Sequence, residues 1–565
     1  MRKTKISLAV AALIGSTLAV GGAVAESGGY KVTDIGAVEG AIHTSPRAIN
    51  DSGHVVGQLA DLRGQNLRLD LLDPEAFESI EDINNPTERE RRQLRDYLIS
   101  SVGGDPKFQN LAIELGFYYD TSSIYELDGF EALDDETGER SDSVSFRVQS
   151  VNNQGITVGQ SAPPYQWIED TDDENELARF HLRNAFPQGA WTDGVNYTLV
   201  TGEPGLMLNG TAGLFAINDN NVAVGYASVA NGQVLEDFYD SRCVSEDDVD
   251  EEGEPIYLEP VEACLHRYWF ARSGITGAAS PLMDEEAYRW EFDAQGNVVE
   301  QGSLGLAFDK EEDEEDVFET LRYRSVANDI NIHGIAVGVS QRQVNGGSFT
   351  RPTLFTEEGA VNMLDEEEAE GNNSLAIAIN DNNIAVGFSN ISINGNFRQR
   401  LFHMDVTNGV SEAFYPNGFF DDSSWQPRAI NNHGQVVGVG QNDSVQNAQR
   451  RSTGFLYDID TDTIVDLNTF LSCESEYSIL DAVDINNAGE IAVVAVRISD
   501  IEEDGEVSEA ARLRTLVLTP DGSEPGCPET DEVQLERKGA ANHPLWLGVL
   551  ALFAVISLRR RKSAI

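Results

Sequence analysis

The chain is short of base. Its 565 residues include 39 lysines and arginines against 95 aspartates and glutamates, a formal net charge of −56. A field of that sign repels nucleic acid and anionic lipid, so nucleic acid is not an expected partner. It suits a solvated surface in salty water, or sites for cations. Cysteine is scarce too. Cys243, Cys264, Cys473 and Cys527 form no C-x-x-C pair, which argues against a zinc site. Four cysteines permit three pairings, and proximity favours Cys243–Cys264 and Cys473–Cys527 in an oxidising compartment, with four unrelated thiols as the alternative. Proline (18) is far outnumbered by glycine (51), which fits many tight turns and no collagen-like or proline-rich segment. The common signatures of chemistry are missing as well: there is no H-E-x-x-H, no G-x-S-x-G elbow, no P-loop and no G-x-G-x-x-G after a strand.

Long apolar runs are confined to the two ends. Residues 1–25 join a basic start (Arg2, Lys3, Lys5) to an apolar stretch ending in Ala23-Val24-Ala25, the layout of a secretory signal cleaved after Ala25. At the other end a polar linker (521–543) leads to Pro544–Leu558, an apolar run shorter than the ~20 residues of an unaided membrane span. Arg559, Arg560, Arg561 and Lys562 follow and would hold the last residues on the cytoplasmic side. The segment 544–562 is therefore expected to insert in a membrane at least transiently. This tail resembles the C-terminal sorting tails of Gram-negative bacteria, which a rhomboid-like protease clips before release to the cell surface or medium. Those tails usually carry Gly-Gly or Gly-Ser before the apolar run. Lys538-Gly539-Ala540-Ala541-Asn542 departs from that, and a single-span anchor is the alternative.

Between the ends one phrase recurs seven times. It reads AINDSGHVVG at Ala48–Gly57, AINDNNIAVG at Ala378–Gly387 and AINNHGQVVG at Ala429–Gly438, and is worn to DINNAGEIAV at Asp484–Val493. The central asparagines are Asn50, Asn152, Asn218, Asn331, Asn380, Asn431 and Asn486. The last three steps, 49, 51 and 55 residues, set the period near 50. Three positions after each asparagine stands only glycine or asparagine, the two residues that enter the left-handed region most cheaply. That predicts a hairpin turn held by the asparagine side chain. The apolar flanks predict strands buried on both faces. The closing glycine, replaced only by Val493, predicts a close approach.

A second pair of strands with an aromatic residue follows each phrase, as in Gly454–Leu467. Two hairpins make a four-stranded unit of about 50 residues, the size of a β-propeller blade. The expected fold is all-β: a closed propeller over 26–520, most simply of seven four-stranded blades. Eight blades, or an open β-hairpin solenoid, are the alternatives. Asp293–Gly302 has the turn without the A-I-N and is one place where an eighth repeat could hide. The strand Tyr30–Gly36 has no phrase before it and is predicted to complete the last blade, closing the ring from both ends of the chain.

Two insertions interrupt the period, at about 61–124 and 234–261. The first contains Pro86–Ser101, with helical spacing, Thr87 as N-cap and Leu94, Tyr97 and Leu98 as its apolar stripe. Its arginines are most simply partners for surrounding acids. The second is strongly acidic, and the RYWFARSGITGAASPLM after it reads as two strands.

The wording INxxGxxVG with a following aromatic strand resembles bacterial extracellular HAF-type repeats. The whole layout resembles an uncharacterised secreted family of marine gammaproteobacteria, domain of unknown function 3466. That resemblance implies no activity, cofactor or catalytic residue.

The histidines point to no chemistry. His54, His333 and His433 lie beside the repeat turn, and His266 and His403 in outer-hairpin strands, none at metal spacing. The alternating Asp458, Asp460 and Asp462 can present oxygens to calcium, but without the glycine and bidentate glutamate of an EF-hand. No catalytic, cofactor-binding or metal-ligating residue is assigned, and no cofactor. The function expected is a surface-attached or secreted binding scaffold for an extracellular ligand, polysaccharide or protein. A calcium-stabilised envelope protein and an extracellular propeller hydrolase or lyase are the alternatives.

Overall fold

A computed structural model of the chain describes residues 29–522 except 73–76, 78–79, 81, 128–137, 139–141, 172–176, 245–258, 274–281, 309–321, 345–346, 365–372, 445–449 and 504–505. The expected signal (1–25), most of the linker, the 544–562 tail and Cys527 lie outside the described residues. No helix among the described residues is long and apolar enough to cross a membrane.

The fold is a seven-bladed β-propeller. Blade 6 shows the plan: Trp425–Ile430, Gln435–Gln441, Ser452–Asp458 and Thr463–Asp466 pair antiparallel in chain order. The first strand carries the start of the phrase, and first strands of neighbouring blades touch around the axis. Blade 5 pairs three strands and reduces its fourth to a bridge between His403 and Phe414. Blade 7 is closed as the sequence predicts. Tyr30–Asp34 pairs with the third strand, from Tyr30 opposite Pro520 to Asp34 opposite Leu516. Asp293–Gly302 is no eighth repeat. It is the outer hairpin of blade 3, between Met283–Phe292 and Val298–Gly305.

Apolar side chains on both faces of the strands have one destination, the neighbouring blade. Seven hydrophobic clusters lie one at each blade–blade interface. Between blades 5 and 6, for example, Ala378, Val386 and Leu401 pack against Trp425, Val436 and Phe455. Burial of this kind, at roughly 25 cal/mol per Å² of apolar surface, is the main force holding the ring.

The closing glycine is explained by a bulge. Every first strand carries an extra residue just before the phrase, such as Arg47 between Pro46 and Ala48. The bulge drives a carbonyl over the facing strand. A Cβ on Gly57, Gly159, Gly225, Gly338, Gly387 or Gly438 would sit 1.8–2.2 Å from that oxygen. In blade 7 a further irregularity, between Ile479 and Asp481, adjoins the pairing of Ala482 with Val493. There a side chain is accommodated.

Candidate functional site

Successive strands run antiparallel, so the phrase turns gather at one end of the ring and the connections from second to third strands at the other. The two ends are built differently.

At the turn end the position-six residues all take the left-handed conformation, with φ between +58° and +82°. Each central asparagine is at most 7% exposed. Its Oδ1 accepts from the backbone N–H groups two and four residues on, at 2.9–3.1 Å in all seven turns. Its Nδ2 donates to the asparagine carbonyl of the next blade at 2.9–3.2 Å. Asn486 donates to the Asn50 carbonyl and completes the circle. A second circle lies beside it. The backbone N–H of the following residue donates to the same side chain one blade on, at 2.8–2.9 Å, in six of seven blades. The missing bond is the one into blade 4, where Ile332 offers no acceptor. The asparagines are thus consumed in construction.

Two blades begin the phrase with aspartate. Asp329 accepts from Ile330 N and from Ile379 N of blade 5, and Asp484 from Ile485 N and from Ile49 N of blade 1. Both residues keep some accessible area. Burial of the carboxyls nevertheless dominates and pushes each up to about 7, against the N–H bonds that favour the charge. Asp484 also feels the charges of Asp329 and Asp51, which raise it further.

At the opposite end, blades 1, 2 and 3 carry large insertions between their second and third strands, and these pack into one cap. The blade 1 insertion (63–113) holds helix α1, Glu88–Asp96, with a capping box between Thr87 and Glu90. Leu94 and Leu98 are buried against Leu72, Ile80 and Ile83, as the helical stripe predicts. The blade 2 insertion is a hairpin, Gln166–Thr171 with Leu177–Leu182, that the sequence reading did not separate. The alternation Arg179-Phe180-His181-Leu182 in its second strand was the available signal. The blade 3 insertion contains helices α2, Gln233–Phe238, and α3, Val261–Ser273. Here the reading of RYWFARS as strand is corrected. Phe186, Leu235 and Leu265 bury that segment together, and the bridge Cys243–Cys264 joins its two parts as expected. The pairing Cys473–Cys527 involves a residue outside the described ones.

Two histidines bind the three insertions together. His181 donates its backbone N–H to the Pro106 carbonyl, accepts from Asn110 N on ring Nδ1, and stacks on Trp167 at 4.5 Å. His266, which lies in α3 and not in a strand, bonds the Arg183 carbonyl through Nε2 at 2.8 Å. Burial, then the charge of Arg183, lowers its pKa to about 4, so it stays neutral and holds its bond at physiological pH. His54, His333 and His433 lie at the turn end, bonded to Tyr118 Oη, the Asp381 carbonyl and the Asn487 carbonyl. His403 sits in an outer strand against Phe414. Asp458 accepts from Thr461, and Asp462 from Tyr457, inside a hairpin turn of blade 6. Among the described residues no three His, Cys, Asp or Glu side chains converge in a metal-binding group.

A cleft of about 280 Å³ opens on the blade 1 insertion. Its wall includes Arg63, Arg89, Arg91, Arg92 and Arg95, with Glu88 as the one acid among the described lining residues. Arg95 and Arg63 approach Asp61 at 3.8 and 4.0 Å, in keeping with the expected pairing with acids. Arg91 instead donates to the Gln65 carbonyl at 2.8 Å.

A family model described as a protein of unknown function, DUF3466, matches residues 3–561. The chain belongs to the DUF3466 family. No curated protein matches this DUF3466 member. Among solved structures it is similar to Pyrococcus horikoshii acylaminoacyl peptidase, at 12% identity and TM-score 0.33, over 83% of this chain and 52% of that one. It is also similar to Trypanosoma rangeli sialidase in complex with sialic acid, at 11% identity and TM-score 0.31, over 71% and 56%. The DUF3466 member spans about half the length of these proteins. At such values neither likeness bears on substrate or chemistry.

Proposed function

We propose that this DUF3466 member is an exported, non-catalytic propeller that binds an extracellular ligand at its cap end, anchored or released through its C-terminal tail. The observation that carries this reading is the convergence of three insertions, from three consecutive blades, into one packed and disulfide-bridged cap with an open cleft. Loops on a rigid scaffold are where binding residues concentrate. At the turn end, by contrast, the buried asparagines spend their polar groups on the ring itself.

Array screening of the mature protein against polysaccharides and proteins, followed by hydrogen exchange with each hit, tests the placement. Protection over 63–113, 162–187 or 232–282 supports it. Protection confined to the phrase turns would sink it. Mass spectrometry of exported protein decides the tail, since a clipped chain ends before Pro544 and an anchored one keeps Ile565.

A further inference from the structure

We propose that the arginine cleft of blade 1 takes the oxyanion of an acidic saccharide, a carboxylate or sulfate carried on a sugar ring. The proposal rests on the cap end being the binding face and adds the chemical class of the ligand.

The charge distribution is the first argument. Guanidinium groups stay protonated at any physiological pH. Of the 39 basic residues in a chain with 95 acids, five line this one cleft, with Glu88 as the one acid among its described lining residues and Asp61 reached by Arg63 and Arg95. With acids so abundant, arginines on a surface serving only solubility would be expected to pair off. Arg91 and Arg89 do not: Arg91 is held by a backbone carbonyl, and Arg89 makes no ion pair among the described residues. Like charges gathered on a concave wall repel one another, and an anion between them reverses the sign of the interaction.

Preorganisation is the second. Leu94 and Leu98, at 0% and 1% exposure, seat α1 firmly. Arg95 Nε donates to Gln65 Oε1 at 2.9 Å, and Arg91 to the same residue's carbonyl. One glutamine thus fixes two guanidiniums before any ligand arrives, which lowers the ordering cost of binding. Guanidinium forks match carboxylate and sulfate geometry in bidentate fashion.

Size and field select the carrier. The cleft is near the lower end of small-ligand sites, which run from about 300 Å³ upward. Leu67 on its wall, only partly buried, offers apolar surface to the C–H face of a sugar. Nucleic acid brings a charge every ~1.7 Å along its axis and meets the repulsion of the whole molecule. A saccharide separates its charges by neutral, hydroxyl-bearing rings. The overall field is screened beyond about 10 Å at 0.1 M salt, whereas guanidiniums in the cleft act at contact.

The test is calorimetric titration of the mature chain with tri-galacturonate, a monosulfated disaccharide, neutral maltotriose and tetraglutamate. One or both acidic saccharides are expected to bind, and the pair tells carboxylate from sulfate. Maltotriose should bind at least ~10-fold more weakly, the worth of one charge-assisted hydrogen bond. The double variant Arg89→Gln/Arg92→Gln, which spares the two arginines on Gln65, should lose ~10-fold or more for the acidic saccharide and keep its melting temperature. Failure of both acidic saccharides to bind the folded chain overturns the proposal. So does an unchanged affinity in the double variant, equal binding of maltotriose, or a preference for tetraglutamate. A neutral ligand that protects the cap from exchange would leave the cap as the binding face and remove only the oxyanion.

Discussion

The two ends of the ring obey opposite rules. At the turn end every blade repeats one solution, and each polar group of the seven asparagines has an assigned partner. At the cap end the blades part company, and only blades 4, 5 and 7 share one short two-residue connection. Blades 1 to 3 insert helices or a hairpin, while blade 4 runs directly from Ala336–Val344 into Gly347–Thr356. Repetition closes the ring, because a circle of hydrogen bonds needs every member. Interruption builds the candidate site, because a site needs only one.

The comparison can be broken hardest at a closing glycine. Gly387→Ala puts a Cβ 2.2 Å from the Leu375 carbonyl and 2.6 Å from the Phe402 ring, and should cost about 3 kcal/mol or more, read by denaturant unfolding. The cap has its own breaking point. Cys243→Ser with Cys264→Ser, a bridge spanning 21 residues, should loosen the cap by about 3 kcal/mol, with exchange rising over 233–243 and 261–273. The phrase turns should stay protected. If they open together with the cap, the two ends are not independent.

Asn380→Asp replaces the Nδ2 donor facing the Asn431 carbonyl with an acceptor. It should cost about 1–3 kcal/mol in unfolding experiments, whereas an exposed cap residue such as Arg89→Gln should stay within about 0.5 kcal/mol.

The buried aspartates sharpen the comparison through pH. Their folded pKa of about 7 lies above the ordinary carboxylate value, so the folded state holds protons the unfolded state has released. Their contribution is complete below about pH 4 and is lost as pH rises through 7, at up to ~1.4 kcal/mol per pH unit for each group. Asp329→Asn should therefore shrink the fall in melting temperature between pH 5 and pH 8 relative to wild type. The smallest effect expected is from chelation. The Asp458–Asp462 turn is held by its own threonine and tyrosine bonds, so EDTA should leave the melting temperature unchanged, and a drop would revive the calcium-stabilised reading.

Much of the turn end was legible beforehand. Gly53 and Asn383 announced the left-handed position, and the local bonds of Asn50 follow from an asparagine so placed. Tyr30–Asp34 announced itself as a strand without a phrase. The bonds from one asparagine to the next blade were not legible, because their partners stand up to 436 residues away. At the cap, helix α1 was readable from Thr87 and Leu94, but α3 was not. Its sequence has nearly even hydrophobicity around the helix, and it becomes a helix by packing against Phe186 and the bridged α2 segment.

The sequence by itself determined the blade, its turn and the number of times it is said, since these depend on periodicity and on φ preferences within ten residues. Tertiary structure alone decided that the asparagines join hands, that three insertions become one cap and that five arginines meet in a cleft. Those outcomes depend on which blades become neighbours, and only ring closure fixes that.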